Sequence, residues 1–148
     1  MKDTHILVLL CGGMASVAYY LWIRARERER RRRLSSRPVV EIQEWYAAHF
    51  ATKGYERDKV ITIVELLANE IGIAPTQLRP SDRLDKDFMT IPTWALADSP
   101  LEGFYENLKI VVHGWYGYSW RPRGDEVTVG DLIASVLSTK DDCASGHL

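Results

Sequence analysis

The sequence predicts an all-α protein: a helical bundle with an aromatic-rich insertion, preceded by a single transmembrane helix. Three observations predict it. From His5 to Ile23, nineteen residues pass without a full charge, and they lead straight into a run of seven arginines, Arg24, Arg26, Arg28, Arg30, Arg31, Arg32 and Arg33. Val60, Ile63, Val64, Leu67 and Ile71 recur at the spacing of one helix face. Val129, Leu132, Ile133, Val136 and Leu137 do the same near the C-terminus.

The first element is the uncharged run. At about 1.5 Å per residue it covers roughly 28 Å, close to the roughly 30 Å core of a bilayer. A cleaved secretory signal has a basic start and small residues at the cut, whereas here the positive charge follows the apolar stretch. Leu10 before Cys11 likewise departs from a lipoprotein signal. Residues 1–23 therefore read as a retained anchor, and 24–37 as a basic juxtamembrane linker. Arginines gather on the cytoplasmic side, so the expected location is the inner membrane, N-terminus out and domain in the cytoplasm. The same arginines are the expected contacts with anionic lipid.

Pro38 suits the first turn of the next helix, with Val39, Ile42, Tyr46 and Phe50 on its apolar face and Lys53-Gly54 as its stop. Asp58 is placed to cap the strongest helix, which Gly72 ends. Residues 74–87 read as loop, punctuated by Pro75 and Pro80, with Leu78, Leu84 and Phe88 as buried plugs. A third helix is expected over 93–108, bent at Ser99-Pro100. Thr128-Val129-Gly130-Asp131 has capping-box spacing and opens the last helix. The helical domain spans 38–139, and 140–148 reads as a flexible tail.

Charge is strongly divided. Residues 24–37 carry a net +6, whereas residues 38–148 carry −7, so the near-neutral total hides a basic linker and an acidic domain. An acidic domain suits basic protein partners and argues against nucleic acid. Two cysteines, Cys11 and Cys143, provide neither a disulfide framework nor a thiolate metal site. His49 and His113 are not joined by any metal-ligand spacing, and neither a catalytic constellation nor a phosphate loop is present, so no enzyme activity, cofactor or metal is expected.

The order Ile71-Gly72-Ile73, Leu84-Asp85-Lys86-Asp87-Phe88, Leu108-Lys109-Ile110 and Thr128-Val129-Gly130-Asp131-Leu132-Ile133 resembles an acyl carrier protein over about eighty residues. The resemblance implies a carrier-like helical bundle and, in a working carrier, phosphopantetheine on a serine in an Asp-Ser-Leu motif. Met89-Thr90-Ile91-Pro92-Thr93-Trp94 stands in that place, without a serine. Ser99, in Asp98-Ser99-Pro100-Leu101, is the remaining candidate attachment residue. The stretch from Val111 to Glu126 exceeds a typical carrier and is similar to insertions in small bacterial carrier-like proteins of unknown function that also lack the serine.

These features imply a membrane-tethered, non-catalytic carrier-like interaction module. Its expected partners are the bilayer and a membrane-proximal protein such as a lipid or fatty-acid enzyme. Partner contact is expected at Asp82, Asp85, Asp87, Trp115, Tyr116, Tyr118 and Trp120, the aromatics also reading as a lid packed on the bundle. Two alternatives are a working carrier using Ser99 and a small inhibitor or immunity-type protein with an acidic blocking face.

Overall fold

A computed structural model describes residues 2–88, 100–122 and 127–144, with side chains described within 13–88, 101–122 and 127–138. Helix α1, Lys2–Ser35, runs unbroken through the arginine segment. Glu27 supports it one turn before Arg31, at 3.1 Å. It ends where Ser36 N–H donates to Arg32 O and Arg37 N–H to Leu34 O, because Pro38 bars further helix from the residue before it.

Among the described residues no helix is long and apolar enough to cross a membrane. The apolar part of α1 stops at Ile23, and Arg24 to Arg33 continue the same helix with a charge at every position but Ala25. The transmembrane helix expected over 1–23 is therefore corrected. The structure has instead one long helix whose C-terminal end is folded onto the bundle, with Leu34 fully buried. The segment 24–37 is thus helical for most of its length, with three of its arginines bonded to the domain.

Helix α2, Ile42–His49, starts four residues after Pro38, which leaves Val39 exposed rather than on an apolar face. Trp45 and Phe50 fill the core below it, and the Trp45 indole N–H donates to Leu78 O at 2.8 Å. A short tight turn, Ala51–Lys53, closes at Gly54 in the left-handed region. Helix α3, Arg57–Ile71, then buries Val60, Ile63, Val64, Leu67 and Ile71, the face read from the sequence. Glu56 rather than Asp58 precedes its first turn, without a side-chain cap. Gly72, at φ 76°, ends it by sending its N–H back to Ala68 O at 2.8 Å.

The loop that follows is irregular, as expected, apart from a turn at Pro75–Gln77 and a wide turn at Leu84–Phe88. Leu78, Leu84 and Phe88 are its buried plugs. Helix α4, Pro100–Tyr116, ends eight residues beyond the expected boundary at Leu108. Leu101, Phe104, Leu108 and Val112 form a buried stripe along it, so the core-facing period continues into what the sequence suggested was an insertion. The expected helical residues 93–99 lie outside the described ones.

Helix α5, Val129–Ala144, opens with the reciprocal cap read from the sequence. Asp131 N–H donates to Thr128 Oγ1 at 3.1 Å, and Thr128 N–H donates to the Asp131 carboxylate at 3.0 Å. Val129, Leu132, Ile133 and Val136 are fully buried in the same core as the α3 face. The α5 backbone stays helical into the expected tail, and 145–148 lie outside the described residues. Its start is stitched to the loop: Leu84 N–H donates to Val127 O, Val129 N–H to Asp82 O, and Gly130 N–H to Pro80 O. A Cβ at Gly130 would lie 3.1 Å from Pro80 O, so glycine permits this approach.

Candidate interaction surfaces

The basic end of α1 and the acidic loop, which the sequence offers to separate partners, meet each other. Arg37 donates from both terminal nitrogens to the Asp82 carboxylate, at 2.6 and 2.8 Å, and once more to Gln77 O at 2.7 Å. The Asp82 bond raises the Arg37 pKa further, against the pull of burial. Gln77, itself buried, returns two bonds to Ser35 O and Arg37 O. Arg33 pairs with Asp87, and Arg30 donates to Phe88 O at 2.5 Å. Burial lowers the Arg30 pKa, although a guanidinium remains charged throughout the usual pH range.

Asp82 is only 4% exposed and also accepts the Arg79 N–H at 2.8 Å. Asp87 accepts the Arg83 N–H at 2.7 Å. Both carboxylates are therefore engaged within the fold rather than offered to solvent. Asp85 differs. It lies exposed, and its pairing with Arg83 at 2.9 Å holds its pKa below the ordinary carboxylate value.

The aromatic candidates are graded by burial. Trp120 is 2% exposed and stacks on Tyr105 with ring centroids 6.3 Å apart, so it is part of the core. Trp115, Tyr116 and Tyr118 are half-buried, and Tyr116 stacks on Tyr118 at 5.6 Å. Lys59 sits over the rings of Tyr116 and Trp115, at 4.5 and 5.7 Å, while its ammonium bonds Glu56 at 2.8 Å. That bond to Glu56 raises the Lys59 pKa, with Tyr116 contributing less.

The middle of α1 presents the opposite picture. Met14, Val17, Tyr19, Tyr20, Leu21 and Trp22 are all exposed, Met14 by 74% and Trp22 by 50%. They occupy every side of the helix. Arg24 and Arg26 fold back over Tyr20 and Trp22, 5.2 and 5.1 Å from the ring centroids. Arg31 lies beside the end of α3 near Gly72 and pairs with Glu27. Arg28 and Arg32 are exposed and carry no ion pair among the described residues.

A cleft of about 460 Å³ lies beside α2, lined by Arg37, Trp45, His49, Thr76, Gln77 and Arg79 among others. Burial, with Arg79 and Lys53 adding to it, lowers the His49 pKa and favours its neutral ring. No sequence signal marks this cleft, because its walls come from segments some thirty residues apart. Ser99 and the Met89–Trp94 segment lie outside the described residues. Among the described residues no group of three or more His, Cys, Asp or Glu side chains is placed to hold a metal.

The fold and surfaces define a small all-α bundle on a long helix, closed on one side by an arginine–aspartate seam and on another by packed aromatics. Against known proteins, the chain matches no family model, no curated sequence and no solved structure.

Proposed function

We propose that this chain is a non-catalytic, carrier-like interaction module held at the cytoplasmic face of a bacterial inner membrane. The uncharged stretch of α1 before Arg24 contacts lipid, and the bundle meets a membrane-proximal protein, such as an enzyme of lipid or fatty-acid chemistry. One observation carries the reading: residues 14–22 of α1 expose large apolar side chains on all sides, a pattern that water alone does not accommodate. Tyr19, Tyr20 and Trp22 followed by arginines match the aromatic and basic layering of a lipid interface. The carrier-like assignment draws support from the helical bundle and from the Thr128–Asp131 cap at the position the resemblance implies. Asp85 and the outer faces of Trp115 and Tyr116 are the partner contacts that fit this reading.

Flotation of the full chain with phosphatidylglycerol–phosphatidylcholine vesicles tests it. The wild type is expected to float, and Val17→Glu/Leu21→Glu to stay behind with its helical circular dichroism unchanged. A wild type that remains at the bottom, or a double variant that floats equally well, would refute the lipid contact.

A further inference from the structure

The arginine run is a single stretch in sequence but not in space. Leu34 is buried against the bundle, and Arg30 lies one turn before it on the same side of α1. Arg33 and Arg37 flank that side and bond to Asp87 and Asp82. Arg28 and Arg32, one turn apart from each other, project from the side facing away from the bundle. Arg24 and Arg26 lie nearer the apolar end, stacked on its aromatic rings. We infer that the run, together with Arg37, is divided into two sets with different counter-ions, while Arg31 stays paired with Glu27 beside Gly72. Arg30, Arg33 and Arg37 fix the bundle to the helix, whereas Arg24, Arg26 and Arg28, with Arg32 further off, meet anionic lipid headgroups.

This inference rests on the lipid contact proposed above and assigns its electrostatics. An anionic bilayer is the occupant because the exposed charge here is four arginines against one carboxylate, Glu29, and adjoins the apolar, aromatic stretch. Distance grades the set. Arg32 stands about 12 Å further along the axis than Arg24, beyond a Debye length of roughly 8 Å at physiological salt. Arg24, Arg26 and Arg28 therefore carry most of the attraction. Arg30 has only 9% of its side chain exposed and donates to Phe88 O, so it is poorly placed to reach a headgroup. The division also makes the bundle a fixed attachment, because the bonded set lies within the same unbroken helix as the lipid-facing set.

Quantitative partitioning of the full chain into phosphatidylglycerol-containing vesicles decides the matter, with pure phosphatidylcholine as the neutral arm. Arg24→Gln/Arg28→Gln is expected to lower partitioning about twenty-fold or more, from roughly five-fold per arginine at an anionic surface. Hydrogen exchange over residues 77–88 should be unchanged. Arg30→Gln/Arg33→Gln should change partitioning less than about two-fold while speeding exchange over 77–88. Equal losses of partitioning in the two double variants would overturn the division while leaving lipid contact standing. Equal wild-type binding to neutral vesicles would overturn the anionic assignment. Failure of the wild type to bind either vesicle would remove the lipid contact itself, and the division with it.

Discussion

The arginine–aspartate seam and the aromatic cap both look like surplus in the sequence, and both close the bundle, but they do so by different physics. In the seam, each group is satisfied by named bonds: Asp82 accepts from Arg37 and from the Arg79 backbone, and Gln77 bonds back to Ser35 and Arg37. Directional bonds of this kind lose their value if either partner is removed. In the cap, Trp120 contributes buried area, while Trp115 and Tyr116 cover Lys59 from one side and remain half-wet. A charged pair can thus be interior while an aromatic row stays partly at the surface. Residue type alone does not separate an internal seam from an external face.

The sharpest way to break this comparison is Trp120→Ala. Loss of a buried aromatic should cost about 3 to 5 kcal/mol in urea-monitored stability, whereas a residue on a free surface would cost almost nothing. Asp82→Ala comes next, with an expected loss of about 3 kcal/mol, because the partly buried Arg37 guanidinium is left without its counter-ion. An unchanged denaturation midpoint would return Asp82 to the list of surface carboxylates. Thr128→Ala removes the cap beside the seam and should cost about 1 kcal/mol in the same assay.

The smallest effect is one of pH. Burial lowers the folded-state pKa of His49 below its ordinary value of about 6.5, so the folded chain binds fewer protons than the unfolded one over the interval just below that value. Its contribution to stability is present above pH 6.5 and declines as pH falls through the interval. His49→Gln should flatten that decline, and a midpoint that still falls equally would assign it to other groups.

Much of the core was legible. The spacing of Val60, Ile63, Val64, Leu67 and Ile71, the stop at Gly72 and the cap at Thr128 are local properties, set by helix period and by backbone groups within a few residues. The plugs Leu78, Leu84 and Phe88 were legible because apolar residues in a proline-broken loop have few other uses. The seam was not. Arg30, Arg33 and Arg37 meet partners some forty to sixty residues away, and nothing in a basic run indicates which members face inward until the helix is docked. The extension of α4 to Tyr116 was hidden by the glycines and aromatics, which weaken helix propensity but are overridden by burial of Leu108 and Val112.

The unbroken course of α1 couples length to azimuth. Each residue added between Trp22 and Arg30 would swing the bundle about 100° around the helix axis and lift it about 1.5 Å. Seven added residues would restore nearly the original heading about 10 Å higher. A change of one or two residues would turn Asp85 and Trp115 toward a different quarter while leaving every bond inside the bundle intact. With the apolar stretch held at a lipid surface as proposed, its spacing from the seam would act as a compass setting for the bundle, and a partner fixed in the same plane would sense an insertion as misdirection rather than as distance.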